Sequence, residues 1–289
     1  MKRYIKLLRI NHYIKNFLVF APVFFGNKWF EAKFLLTGLF AFLQFCLLSS
    51  LIYIINDIND LEKDRLHPLK KARPLASGEI TTGTAKVIAF ILLILIILLQ
   101  ATSNYKSKIC WLTLATYFTL NVLYSVKGLK NFALFDVYIL AFGFVLRIMY
   151  GSFCTKIEIS SWLYVVVFFG ALFMGFGKRR NELKQIGGGV NTREVLLKYN
   201  MDYLSKCLYS CMTLSIVFYS FWCLEKDSIG NSRIYIVTIP IFAFILFKYS
   251  LDIETDKDGD PTNIILGDIG LIVLCLILLI FLGFAIFTE

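Results

Sequence analysis

The residues best suited to chemistry stand together in NDINDLEKDRLHPLKKARPLASGEI, residues 56–80. If the helix entering this stretch continues, Asn56, Asp57, Asp60 and Asp64 fall within roughly a 100° arc of it, while Asn59, Glu62 and Lys63 point elsewhere. Three carboxylates and an amide on one face repel one another unless a cation binds. An all-oxygen set suits Mg2+, which keeps several waters and is shared with substrate phosphates. Arg65, Lys70, Lys71 and Arg73 follow at once, and acid for a metal beside base for phosphate is the makeup of a diphosphate site. The plainer alternative is a solvated helix end that happens to be acidic. Pro68 and Pro74 prevent regular helix throughout the segment. The two histidines, His12 and His67, have no nucleophile at a useful spacing; His67 could touch phosphate but reads first as a loop-structural residue.

Further candidates lie downstream. Tyr124, Ser125, Lys127 and Lys130 follow an apolar run, and two lysines three apart can meet one phosphate; ordinary flanking charge is the alternative. Asp136 and Arg147 sit inside an otherwise apolar stretch, where a charge is expensive and is functional or paired. Spaced by eleven, they share a helix face, and a structural ion pair with another helix is the competing reading for Arg147. Lys178, Arg179 and Glu182 offer phosphate contacts or, for Lys178 and Glu182, a helix-end salt bridge. Gly187, Gly188 and Gly189 suggest a hinge or an anion-cradling turn, on weak evidence. DKDGD at 256–260 lacks the twelve-position ligand pattern of an EF-hand, and no role is assigned to Asp260 or Asp268.

The elements that must position these groups are apolar. Of 289 residues, 58% are hydrophobic and 17% charged, with a mean hydropathy of +0.70, against roughly 45–50% and about 25% for a globular domain. No single core hides such an excess, so lipid solvates the chain. This excludes a soluble enzyme, a disordered linker and a secreted disulfide scaffold. The seven cysteines (46, 110, 154, 207, 211, 223 and 275) read as small buried hydrophobes without metal-site flanks. Runs of the roughly 20 residues a span needs fall near 14–30, 34–56, 82–101, 109–124, 132–151, 160–177, 201–224, 233–251 and 264–287. The expected architecture is therefore all-α and polytopic, about nine transmembrane helices in one domain, 1–289; Pro22 and Gly26 make the first span the least regular. MKRYIKLLRINHYIKN lacks the pattern of a signal peptide and reads as a basic amphipathic lead-in on the membrane surface.

The net charge of +10 belongs to the loops rather than to a nucleic-acid partner. Alternate loops hold 19 and 7 of the Lys and Arg residues. The positive-inside rule then places the N-terminus and the long polar loops in the cytoplasm, in a plasma or inner membrane.

The pattern NDxxDxxxD at a span end, followed by HPxKxxRPLASG, resembles the UbiA superfamily of intramembrane prenyltransferases. LLRINHYIKNFLVFAP, LYSVKGLKNFALFDVYILAFGFVLRIMYG, FMGFGKRRNEL and DGDPTNIILGD resemble its decaprenyl-phosphate phosphoribosyltransferase branch, from about residue 7 to 270. The resemblance implies a UbiA-like bundle with a cytoplasmic-facing site, Mg2+ on Asn56, Asp60 and Asp64, and Asp57, Asp60 and Asp64 as the catalytic acids. It implies substrate contacts from Lys15, Arg65, Lys70, Arg73, Tyr124, Lys127, Lys130, Asp136, Arg147, Lys178, Arg179 and Glu182. The implied reaction moves 5-phosphoribose from phosphoribosyl diphosphate to a polyprenyl phosphate, releasing diphosphate, and leaves tail length and oligomeric state open.

The chain departs from the superfamily in one place. The second Asp-rich motif, DxxxD, is replaced by GKRRNELKQIGGGVNTREVLLKYN, which is strongly basic and contains Glu182 and Glu194 but no Asp pair. A second metal site of the usual kind is thereby put in doubt. The same departure weighs against the alternative of a prenyltransferase acting on an aromatic or other acceptor. An organic-anion transporter, the third possibility, would favour inverted repeats, and none is visible.

Overall fold

The computed structural model describes residues 2–67, 70–105, 107–126, 128–186, 194–230, 233–255 and 261–288. Among these the chain is helical, with no strand. In chain order the α-helices are α1 (Lys2–Leu8), α2 (Ala21–Phe25), α3 (Ala32–Asn59), α4 (Leu61–Leu66), α5 (Thr82–Thr102), α6 (Lys108–Ser125), α7 (Phe135–Thr155), α8 (Ser161–Ile186), α9 (Met201–Gly230), α10 (Ile234–Thr255), α11 (Pro261–Gly267) and α12 (Ile269–Thr288). Seven of them, α3, α5, α7, α8, α9, α10 and α12, are long and apolar enough to cross a membrane. The chain is an integral membrane protein.

Nine spans were expected, and two of the nine do not meet that measure. α6 occupies the run expected at 109–124, but its Thr, Asn and Tyr residues dilute its apolarity. The run expected at 14–30 is not one helix: Ile10–Phe20 is a 3-10 helix that passes into the short α2. At about 2.0 Å per residue for the first part and 1.5 Å for the second, the two cover about 30 Å. This segment runs antiparallel to α3: the Leu8 carbonyl and Tyr13 meet Ser50, Asn16 meets Cys46 and Ser49, and Phe20 and Val23 lie beside Gly38.

The chain forms two compact units. One comprises residues 1–23, 28–132 and 146–158; the other comprises 24–27, 133–145 and 159–289. In the first, α3 packs against α5, α6 and the 3-10 segment around Phe45, Leu48, Ile52, Ile96, Leu114 and Tyr150. α5 is capped by Thr81, whose Oγ1 accepts the Thr84 N–H. It buries Ala85, Leu92, Ile96 and Gln100 along one stripe and leaves Phe90, Ile91, Ile97 and Leu98 outward, as lipid requires. Polar groups at that depth are paired: Gln44 donates to Gln100, which accepts from Tyr150 and donates to the Tyr105 carbonyl. Gly151 of α7 is obligatory, since a Cβ there would lie 2.1 Å from the Val19 carbonyl oxygen. In the second unit, α8 and α9 pack along their length around Leu172, Phe173, Phe176, Leu204 and Leu208. A separate cluster forms around the buried Trp222, edge-on to Phe25 and Tyr235.

Candidate functional site

The acidic motif lies at the end of α3, and the helix does not continue through it. Asn59 is its last residue, Asp60 leaves helical geometry at φ −94° and ψ 9°, and α4 restarts at Leu61. The single-face arrangement of Asn56, Asp57, Asp60 and Asp64 is thus replaced by a break. Asn59, expected to point elsewhere, is brought in: its Nδ2 donates to Asp60 Oδ1 at 3.4 Å and to the Ser125 carbonyl at 3.1 Å, tying the break to the end of α6.

Each carboxylate of the motif has a cation. Asp57, 2% exposed, is paired with Arg9 and, at 3.2 Å, with Arg73. Arg73 also meets Asp64 at 2.5 Å, so it bridges two acids. Lys130 places its Nζ on both oxygens of Asp60, at 2.6 and 2.7 Å. Arg9 was not among the expected substrate contacts. It adopts a left-handed backbone, φ 52°, at the junction of α1 and the 3-10 segment, and its guanidinium lies 4.6 Å over the Tyr53 ring. A non-glycine residue held there is strained and needs surrounding contacts to keep it; the Asp57 pair and the Tyr53 ring are such contacts.

Whether this set suits a metal turns on its free donors. Among the described residues no group of three or more His, Cys, Asp or Glu is placed to hold one unaided, so a three-carboxylate cage is not formed. Asn56 Oδ1, however, is buried without a hydrogen-bond partner among the described residues. An orphaned amide oxygen costs free energy unless something donates or coordinates to it. With Asp60 and Asp64, four and eight positions further on, it offers an oxygen-only choice of donor types, two carboxylates and one amide. Mg2+ is typically held by one or two carboxylates, with waters and substrate phosphates filling the rest. The residues fit that ion.

The remaining expected residues of this unit divide. Arg65 pairs with Glu62 on the exposed side of α4. The Lys70 N–H donates to His67 Nδ1 at 3.4 Å, and burial together with the Lys70 charge pushes the imidazole pKa down. Tyr124 is buried at the end of α6, Lys15 is half-buried on the 3-10 segment, and Lys127 lies outside the described residues. Arg147 is buried; it donates to Asn16 Oδ1 at 2.9 Å and to the Tyr117 hydroxyl at 2.7 Å, and stacks on the Tyr117 and Phe45 rings. It holds the 3-10 segment to α6 and α7.

The second unit has its own charged network. Asp136, fully buried at the start of α7, accepts from Arg179 Nε at 2.5 Å and from the Tyr199 hydroxyl at 2.7 Å. Tyr199 Oη also accepts the Leu134 N–H at 2.6 Å, and burial raises its pKa. Arg179, 2% exposed, gives its second contact to Glu182 at 2.6 Å. Glu182 therefore pairs at i,i+3 with Arg179. Lys178 is half-buried on α8. Arg180 and Lys184 both pair with Glu254, and Lys248 joins Asp252 to Asp268 at 2.5 Å each. Asp268 also accepts the Leu271 N–H, and these donors hold its pKa below the usual carboxylate range. Gly187–Gly189 and Asp260 lie outside the described residues. Sequence reasoning missed Arg9, Tyr199, Asn16 and Tyr117; of these only Arg9 carried a signal, a basic residue just ahead of an apolar run.

Apolar helices that bury acids against bases at their ends define a polytopic membrane protein. The UbiA prenyltransferase family matches residues 17–266. The decaprenyl-phosphate phosphoribosyltransferase of Mycolicibacterium smegmatis is 33% identical over 99% of this chain and 92% of its own length. That of Corynebacterium glutamicum is 32% identical over 94% and 83%. A UbiA homologue from Archaeoglobus fulgidus, solved bound to GPP and Mg2+, superposes with a TM-score of 0.71 at 21% identity, covering 99% of this chain and 100% of that one. The chain belongs to the UbiA prenyltransferase family and is a transferase.

Proposed function

We propose that the protein transfers 5-phosphoribose from phosphoribosyl diphosphate to a polyprenyl phosphate of decaprenyl type, releasing diphosphate. In this reading the site faces the cytoplasm, and the protein lies in the plasma or inner membrane. The observation that carries the reading is the motif at 56–73, where an orphaned amide oxygen and three carboxylates share their space with Arg9, Arg73 and Lys130. Relatives named for this reaction, similar over nearly the whole chain, support it. So does the basic sequence where other members of the superfamily carry a second Asp-rich motif.

The chemistry is a substitution at the anomeric carbon. The C1–O bond to diphosphate breaks, its electron pair leaves with the diphosphate, and an oxygen of the acceptor phosphate bonds to C1. Asn56, Asp60 and Asp64 would hold Mg2+, which when bound neutralises charge on the leaving diphosphate. Asp57 holds Arg9 and Arg73 where their remaining N–H donors can meet phosphate oxygens. Lys130, resting on Asp60, is a cation that can turn to a phosphate as the substrate enters. The acceptor is already an anion, so no strong general base is needed, and positioning supplies much of the rate. Lys15, Arg65, Lys70, Tyr124, Lys127, Lys178 and Glu182 are assigned to substrate binding by their residue types, while Arg147, Arg179 and Asp136 are assigned to holding the helices.

The test is incubation of purified protein with Mg2+, labelled phosphoribosyl diphosphate and polyprenyl phosphate, with a parallel arm of prenyl diphosphate and an aromatic acceptor. Label in the lipid fraction of the first arm supports the proposal. Turnover in the second arm alone overturns it in favour of a prenyltransferase of the more general kind.

A further inference from the structure

Two of the seven cysteines meet. Cys110 Sγ of α6 and Cys154 Sγ of α7 lie 3.9 Å apart, though the residues are 44 positions apart in the chain. They are 0% and 3% exposed. All seven cysteines are free thiols. We infer that Cys110 and Cys154 form a modification site: a dithiol that exchanges with a small disulfide to give an intramolecular disulfide joining α6 to α7.

The local structure divides the labour between the two sulfurs. Ser107 caps α6, its Oγ accepting the Cys110 N–H at 3.3 Å and donating to Cys110 Sγ at 3.0 Å. Cys110 therefore sits in the first turn of a helix, where the unpaired N–H groups and the helix dipole favour a thiolate, and it has a hydroxyl donor as well. Cys154 stands one residue before the end of α7, the helix end at which the dipole disfavours a thiolate, although the Tyr150 hydroxyl lies beside its Sγ. Cys110 is the attacking thiol and Cys154 the resolving one.

In the first step the Cys110 thiolate attacks the disulfide reagent, forming a mixed disulfide and expelling one thiolate. Cys154 then attacks the Cys110 sulfur and expels the second. The two protons of the protein thiols end on the two released reagent thiols, so two electrons pass to the reagent. An S–S bond of about 2.05 Å requires the sulfurs to close from 3.9 Å, which rotation about the two Cα–Cβ bonds can supply.

The position gives the site a setting. The opposite end of α6, Ser125, contacts Asn59 beside the acidic motif. Fifteen residues of helix separate Cys110 from it, about 22 Å. The thiols thus lie at the end of the first unit remote from the motif, next to loops with few Lys and Arg. If the sparsely charged loops face outward, this is the end exposed to oxidising conditions.

The experiment uses full-length protein in detergent, treated with 4,4′-dithiodipyridine, a small aromatic disulfide, at about 0.1 mM. Peptides are then mapped by mass spectrometry without reduction. A thiol already in contact has an effective concentration of mM or more, so the linked Cys110–Cys154 peptide should exceed mixed adducts at either residue roughly tenfold. Dithiothreitol should abolish it. In Cys154→Ser the reagent should stay on Cys110, while in Cys110→Ser, Cys154 should react no faster than the buried Cys46. A wild-type map in which the half-exposed Cys207 and Cys275 are modified but no linked peptide forms overturns the proposal. Equal trapping of Cys110 and Cys154 as separate adducts overturns it as well.

Discussion

Arg179 carries two incompatible roles, and a single substitution separates them. Its residue type and loop suggested a phosphate contact; the structure buries it to 2% exposure with its Nε on Asp136 and its NH1 on Glu182. Asp136 is itself fully buried, and it also accepts from the Tyr199 hydroxyl. Arg179→Met keeps much of the side-chain length and removes the charge, stranding Asp136 in an apolar interior. Breaking a buried pair in this way costs about 3–5 kcal/mol, roughly a 10²- to 10⁴-fold change in the folded population.

Asp136→Asn is the asymmetric partner. It leaves Arg179 with Glu182, which is 21% exposed and reaches water, so the loss is that of one charge-assisted hydrogen bond, about 1.5–3 kcal/mol. The double variant Asp136→Asn/Arg179→Met should be more stable than the sum of the two losses implies, with a coupling of about 0.5–3 kcal/mol. The assay is the thermal midpoint of each purified variant in one detergent, with substrate titrations on whatever remains folded. The expected order of loss is Arg179→Met, then Asp136→Asn. An Arg179→Met protein that melts like wild type but needs ten- to hundred-fold more of one phosphorylated substrate would refute the reasoning and make Arg179 a ligand contact.

Asp60→Asn and Asp64→Asn should each abolish turnover in protein that still elutes and melts as folded, and EDTA should silence the wild type equally; full activity in either condition would remove Mg2+ from the site. Lys130→Ala should free Asp60 of its only ion pair among the described residues. The Mg2+ concentration for half-maximal activity should therefore fall while the requirement for phosphoribosyl diphosphate rises, and unchanged constants for both would return Lys130 to the tally of orienting charges. Gly151→Ala should destabilise by roughly 1–3 kcal/mol, since its methyl would press on the Val19 backbone. Gly170→Ala, where the nearest atom is the Ser215 hydroxyl at 3.5 Å, should leave the melting point nearly unchanged.

What the sequence disclosed follows from the range over which each interaction acts. The spans were legible because lipid imposes apolarity on about 20 consecutive residues, whatever they touch. The acidic motif was legible because four oxygen donors fall within nine positions. Its break at Asp60 was not, since no Pro or Gly marks it and the stretch has ordinary helical residues on both sides. The first crossing was half legible: Pro22 and Gly26 announced an irregular segment, but an eleven-residue 3-10 helix depends on its contacts along α3 rather than on its own propensities.

The partners of the charges were the least legible part, for a physical reason. A cation in a basic loop looks the same in sequence whether it orients the chain, binds a phosphate or neutralises a buried acid. Arg9 and Asp57 are 48 positions apart, Lys130 and Asp60 are 70 apart, and Arg179 and Asp136 are 43 apart. Each pair exists only because helices bring it together. Those pairings also reassign work within the motif. Asp57, committed to two guanidiniums, is the acid that holds Arg9 and Arg73. Asp60 and Asp64 each have one cation among the described residues, so in the proposed reading they are the acids that join Asn56 in coordination. The division is sharp enough to measure: Asp57→Asn should keep turnover and weaken phosphate affinity before it changes the Mg2+ requirement, whereas Asp60→Asn should lose turnover.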